Sequence, residues 1–209
     1  MNRFAMTNPL RALARLAIPA LLALPLALSA CGGPAAAPEE RPPLEGAAIG
    51  GPFTLSDKAG RTVRWEDFKG RYRVVYFGYT FCPDACPLDV QAMMQGFGRF
   101  EKQSPALARQ VQPIFISIDP ARDTPQVVGE FAAAFSPRLL GLTGTPEQVA
   151  AAAKAFSAYY ARGKATAGGY LMDHSRVAYL MDRDGQPISM LPVDKGPEAV
   201  AAELAKWVK

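Results

Sequence analysis

Residues 73–79, RVVYFGY, run straight into a cysteine–proline segment, TFCPDACP. The run is rich in β-branched and aromatic residues and too short for a buried helix, so it predicts a strand covered on both faces. Such a strand needs packed layers above and below it. In a chain of 209 residues that requirement points to one domain of the α/β class. The apolar share of 49% and charged share of 20% are ordinary globular values, so the core does not depend on disulfides.

The flanking pattern supports that architecture. PFTLS (52–56) and TVRW (62–65), joined by DKAGR, predict an N-terminal hairpin. A helix is expected from Pro87, with Leu88, Val90, Met93, Met94, Phe97 and Phe100 at helical spacing; two glycines weaken it. Met93 and Met94 are soft enough to ligate a metal but lie on the core face of that helix. VQPIFISID (111–119) is a second buried strand. DTPQVVGEFAAAF opens a helix with a cap pair and a proline, and Asp119, Arg122 and Asp123 read as the strand-ending turn and cap before it. LLGLTG is strand-like. TPEQVAAAAKAFSAYYAR repeats the cap–proline–helix pattern, with Thr145 as cap. GKATAGGY then reads as a small-residue loop under which Tyr159 and Tyr160 pack; RVAYLMD and PISML are strands, and PEAVAAELAKWVK is a closing helix. The expectation is a thioredoxin-like fold: a central, mostly parallel sheet flanked by helices, with an added N-terminal hairpin and a terminal antiparallel hairpin.

The first thirty residues are of another kind. Arg3, Arg11 and Arg15 precede an apolar run from Leu16 to Leu28 that is broken by Pro19 and Pro25 and ends in Leu28-Ser29-Ala30-Cys31. A basic start, a short apolar region and a small-residue cleavage site form a secretory signal, and the final tetrad resembles the bacterial lipoprotein box. The expected organisation is a lipoprotein signal over 1–30, a flexible tether over 31–47 that starts at a lipidated Cys31, and a folded domain over 48–209. Without the three leader arginines the chain carries 20 basic residues against 19 acidic ones. Near-neutrality gives no basis for nucleic-acid binding.

If Cys31 carries lipid, Cys82, Cys86 and the only histidine, His174, are the chemistry-bearing residues of the domain. The cysteines sit at the carboxyl end of a central strand, where open α/β sheets place their sites. Pro87 puts Cys86 at or just before a helix cap, and Cys82 in the loop ahead of it. A helix N-terminus favours thiolate, the form that reacts or binds metal. Two thiolates spaced this way can close a disulfide or grip a metal. His174 precedes a predicted central strand, and two thiolates with an imidazole suit Cu(I) and accept Cu(II). A zinc site usually wants four protein ligands. Thiol–disulfide enzymes usually carry Cys-x-x-Cys and a proline where Asp173-His174-Ser175 stands here. A peroxidase would need an activating threonine and arginine, and only Thr80 is near. Asp173 is a candidate acceptor orienting His174, and Gly163 to Gly169 form a loop on which the histidine could swing.

VVYFGYTFCPDACP, PIFISIDPARDTP, GLTGT and YLMDHSRVAYLMDRDG, in this order between about Gly51 and Gly185, together resemble the Sco/SenC family of copper proteins. The resemblance implies a thioredoxin-like fold and a metallochaperone, not primarily an enzyme. It implies copper, Cu(I) or Cu(II), bound by Cys82, Cys86 and His174, with Asp84 at the acidic position of the cysteine loop. Ala85 departs mildly from the larger apolar residue common there. The implied role is assembly of the binuclear copper centre of cytochrome c oxidase subunit II, with that subunit or another acceptor and other periplasmic copper carriers as partners. The alternative is a thiol–disulfide reductase that keeps acceptor cysteines reduced. Many relatives have a transmembrane anchor; here a lipid on Cys31 would hold the domain to a bacterial envelope membrane, facing the periplasm.

Overall fold

The computed structural model describes residues 40–166 and 169–209. Residues from Glu40 onward form one compact unit. The signal over 1–30, Cys31 and the tether up to residue 39 lie outside the described residues. The end of the expected tether is packed: the Leu44 amide donates to the Ile188 carbonyl at 3.0 Å, and Leu44 and Ile49 rest on the core. Packed chain is therefore present ahead of residue 48, because Leu44 has apolar surface to bury.

The expected two-face-buried strand is β3 (Tyr72–Gly78), and every residue of it is buried. It occupies the middle of a five-stranded sheet. β4 (Val111–Ser117) lies parallel on one side, with Gly78 opposite Ser117, and β5 (Leu140–Leu142) lies parallel beyond it. On the other side β8 (Ala178–Met181) runs antiparallel to β3, with Tyr76 opposite Ala178, and β9 (Pro187–Leu191) pairs antiparallel with β8. The sheet is thus mixed, its parallel half built from β-α-β units and its antiparallel half from the closing hairpin. The N-terminal hairpin is β1 (Thr54–Ser56) with β2 (Thr62–Arg64).

α1 (Ala85–Gln103) buries Cys86, Val90, Met93, Met94, Phe97 and Phe100, so both methionines are core residues. Gly96 does not merely weaken this helix. A Cβ there would sit 2.6 Å from Val200, so the glycine is what lets α5 (Pro197–Trp207) cross closely. α2 (Pro105–Ala108) is a single turn. α3 (Pro125–Phe135) is capped by Thr124, whose hydroxyl accepts from the Val127 amide. α4 (Pro146–Ala155) has the full capping box between Thr145 and Gln148.

The chain departs from the sequence expectation after α4. The helix ends at Ala155, not near Arg162, because Ser157 adopts a left-handed backbone with φ 51°. The segment read as a glycine loop is instead an antiparallel pair, β6 (Tyr160–Thr166) and β7 (Gly169–His174), with Tyr160 opposite His174. Its small residues have little strand propensity, and cross-strand pairing overrides that. Tyr159 is exposed, while Tyr160 rests on the core. No helix among the described residues is long and apolar enough to cross a membrane.

Asp123 joins the ends of β3 and β4. Fully buried, it accepts from the Thr80 amide at 3.0 Å and from the hydroxyls of Thr80 and Ser117. It is not the cap of α3, as the sequence suggested, but the anchor of the loop that leads to Cys82. Burial raises its pKa, against the hydrogen bonds that lower it. Asp123→Ala is expected to cost about 2–4 kcal/mol, since buried donors lose their acceptor. Asp123→Asn should cost less. A raised folded pKa contributes stability that is lost as pH rises through it. In urea melts the Asn variant, which cannot ionise, should therefore gain on the parent as pH rises above the ordinary carboxylate range. A constant difference as pH rises would show that Asp123 is not strained by its burial.

Candidate metal centre

β3 ends at Gly78, and residues 79–84 turn the chain into α1. Gly78 has a local reason: a Cβ there would meet the rings of Tyr76 at 2.9 Å and Phe115 at 3.0 Å, with the Cys86 sulfur at 3.4 Å. Ala85 is the first helical residue, so Cys86 lies inside the first turn and not at or before the cap. Pro87 is tolerated there because first-turn amides have no intrahelical acceptor. Asp84 occupies the cap position without a capping hydrogen bond. Cys86 is fully buried and Cys82 half-buried, and both are free thiols. The Cys86 amide, one of the orphan donors of the helix start, points at the Cys82 sulfur at 3.4 Å.

His174 closes the cluster from the end of β7. Its Nε2 lies 3.0 Å from the Cys86 sulfur, and its Nδ1 lies 2.9 Å from the Ser175 carbonyl oxygen. A carbonyl only accepts, so Nδ1 carries a hydrogen and Nε2 is the nitrogen that faces the sulfurs. The rings of Tyr76 and Tyr79 meet the imidazole edge-on at 6.4 Å and 5.9 Å. Among the described residues Cys82, Cys86 and His174 form the one group of three metal-type donors, with donor atoms all within 4.8 Å of one another. Asp173 does not orient the imidazole. It is exposed, and the Ser175 carbonyl takes that role.

The two thiols share one proton. The Cys86 hydrogen bond is the largest influence on Cys82 and, against burial, holds its pKa down to about 3. The same hydrogen bond, then burial, pushes Cys86 well up. The outer sulfur is thus thiolate and the inner one keeps the proton.

Two polar clusters brace the site. In the first, Asp119 accepts from Arg122 Nε at 2.5 Å and from the Tyr170 hydroxyl at 2.7 Å. The Tyr170 ring lies between the guanidiniums of Arg122 at 3.8 Å and Arg162 at 3.9 Å, which ties the β6–β7 hairpin to the turn after β4. In the second, Asp89 on α1 binds Tyr76 and Arg176. The sequence reading passed over Tyr76, Asp89 and Arg176. One signal was present: Asp89 falls on the helix face shared by Cys86, Val90 and Met93, where a lone carboxylate needs a partner.

Comparison with known proteins agrees with this geometry. The family model described as SCO1/SenC matches residues 41–209. Protein SenC of Rhodobacter capsulatus is 43% identical over 155 residues, covering 74% of this chain and 68% of SenC. The crystal structure of Arabidopsis thaliana ScoI with copper bound superposes with a TM-score of 0.71 at 34% identity, over 76% of this chain and 96% of that one. BsSco, described as a member of the Sco family of cytochrome c oxidase assembly proteins and as containing a disulfide switch, matches with a TM-score of 0.52 at 25% identity, over 76% of this chain and 94% of its own. The chain spans 52% and 53% of the lengths of two mitochondrial relatives.

The unequal thiols predict a labelling order. With iodoacetamide at about pH 6, well below an ordinary thiol pKa, the reduced protein should be alkylated at Cys82 first. Peptide mass mapping reports each cysteine separately. Equal rates at Cys82 and Cys86 would show that the proton is not held on the inner sulfur.

Proposed function

The chain belongs to the SCO1/SenC family, and we propose that it binds copper through Cys82, Cys86 and His174 and passes it to the binuclear copper centre of cytochrome c oxidase subunit II. The carrying observation is the approach of two sulfurs and the outward nitrogen of one imidazole within 4.8 Å. The donor set fits the cargo: two soft thiolates hold Cu(I), and the imidazole extends the site to Cu(II). Of the two sulfurs, Cys82 is ready to ligate as it stands, so on the thiol side loading the site releases the Cys86 proton. Transfer proceeds from the outside inward. An acceptor thiolate first reaches the half-buried Cys82 and His174, and the fully buried Cys86 is the last ligand to leave.

A second reading rests on the acidity and partial exposure of Cys82. As a thiol–disulfide reductase, its thiolate would attack an acceptor disulfide and form a mixed disulfide while one acceptor sulfur departs as thiolate. Cys86, after giving its proton to water, would then attack the Cys82 sulfur and displace the second acceptor sulfur as thiolate. The acceptor gains two electrons and Cys82–Cys86 becomes a disulfide. That route uses no imidazole. The metal-free pair is expected to cycle this way whichever role dominates.

For the segment ahead of the domain, we propose the organisation read from its sequence. Residues 1–30 are a lipoprotein signal, Cys31 carries the lipid, and the tether holds the domain to the envelope membrane on its periplasmic side. Leu28-Ser29-Ala30-Cys31 supports this.

His174→Ala discriminates the two readings. Loss of a direct ligand should exceed the tenfold to hundredfold penalty of an outer contact, so Cu(II) affinity is expected to fall by more than about 100-fold. Cu(I) affinity should fall less, and the Cys82–Cys86 couple should stay near its parent potential. Copper titration with optical or EPR detection, beside thiol redox titration, measures all three. Parent-like binding of both copper states would remove His174 from the ligand set and favour the reductase. For the anchor, intact mass of membrane-extracted protein should show acyl additions that Cys31→Ser abolishes; a free Cys31 thiol on a soluble product would end that reading.

A further inference from the structure

We propose that Asp89 and Arg176 form a positioning clamp that sets the approach of His174 to Cys86; the inference rests on the copper reading above for its consequence, though not for its geometry. Residues 175–177 are the short link between β7, which ends at His174, and β8, which begins at Ala178. Cross-strand pairing fixes His174 against Tyr160, and the Ser175 amide donates to the Tyr159 carbonyl. Both of these ties hold the histidine to its own hairpin. Neither holds it to the helix that carries Cys86.

Arg176 supplies that tie. Two residues beyond His174, its Nε donates to Asp89 Oδ2 at 2.9 Å and its Nη2 to Asp89 Oδ1 at 2.6 Å. The fork geometry fixes both distance and angle, which a single contact from a lysine would not. Asp89 stands three residues after Cys86, on the same buried helix face. Its carboxylate is 3% exposed while the Arg176 side chain is 50% exposed, so the guanidinium reaches in from the surface to a buried partner. The same Oδ2 accepts from the Tyr76 hydroxyl at 2.9 Å, and the Tyr76 ring lies edge-on to the imidazole. One buried carboxylate therefore joins the cysteine helix, the central strand and the histidine link. A carboxylate mid-helix on an apolar face is costly unless it is paired. Here the pairing places the imidazole.

Arg176 donates to Asp89 and not to either sulfur; it acts through His174. Removing Arg176 alone would strand a buried charge and confuse clamp loss with unfolding. The informative variant is Asp89→Asn with Arg176→Ala. It leaves no buried charge, and the amide oxygen still accepts from Tyr76. Arg176→Lys keeps the charge but loses the fork. Lys58→Ala with Glu130→Gln removes an exposed ion pair away from the cysteine helix and serves as the control.

Two readouts separate positioning from stability. Because the chain has one histidine, NMR of the metal-free reduced protein reports His174 without overlap. The parent should show the Nδ1–H tautomer. The Asp89→Asn/Arg176→Ala variant should move toward a mixed-tautomer, solvent-averaged imidazole, and Arg176→Lys should fall between the two. Cu(II) affinity should drop by about ten- to a hundred-fold in the clamp variant, as for other groups that orient a metal ligand, with a changed EPR hyperfine pattern. The control should leave both readouts at parent values. Parent-like imidazole signals in the clamp variant would overturn the proposal, and so would a shifted imidazole with unchanged Cu(II) affinity. If His174→Ala binds Cu(II) as the parent does, it is the copper reading that has failed, and the metal-free imidazole spectra alone then decide whether the clamp exists.

Discussion

The antiparallel return of β8 along β3 is the constraint on which the site depends. Tyr76, near the end of β3, stands opposite Ala178, at the start of β8. The residues just before Ala178 must then lie beside the loop that follows β3. That is how His174 comes within 3.0 Å of a cysteine 88 positions earlier in the chain. A parallel neighbour would have delivered its amino end to the other edge of the sheet and left the two cysteines without a third donor. The same pairing allows β3 to be buried on both faces while one side of the sheet closes with a hairpin.

Buried polar groups around the cysteine loop convert that proximity into a defined geometry. Asp123 holds Thr80, the Asp119–Arg122–Tyr170 cluster holds the β6–β7 hairpin, and Asp89 holds Arg176. Each carboxylate is buried and each is paired, so desolvation is offset by hydrogen bonds that exist only in one arrangement. The hydrophobic core could tolerate small slips between layers; these pairings do not. They surround the cysteine loop, while Cys86 sits on the packed core beneath.

The protonation pattern follows from the same placement. The helix amide and the inner thiol both stabilise charge on Cys82, and burial opposes charge on Cys86. The half-buried sulfur is therefore the reactive one and the buried sulfur the retentive one. An exchange site and a redox site share this need, which is why one scaffold supports both readings of the pair.

The sequence by itself determined the buried central strand, the cap–proline helix starts, the hairpins at either end, and the three residues that converge. Those features are local: apolar periodicity, proline and cap chemistry, and the scarcity of cysteine and histidine. Only the tertiary structure decided where α4 stops, that residues 160–174 pair as strands, that Cys86 lies one step inside the helix, and that Asp89, Asp123 and Arg176 brace the site. The small residues of β6 and β7 have weak intrinsic preference, so pairing across the hairpin settles their state. A buried carboxylate looks the same in sequence as an exposed one; its role is fixed by partners that are distant in the chain and adjacent in the fold. The hydrogen on His174 Nδ1 belongs to this second class as well, since the carbonyl that accepts it is placed by the backbone turn after β7 and by no property of the histidine itself.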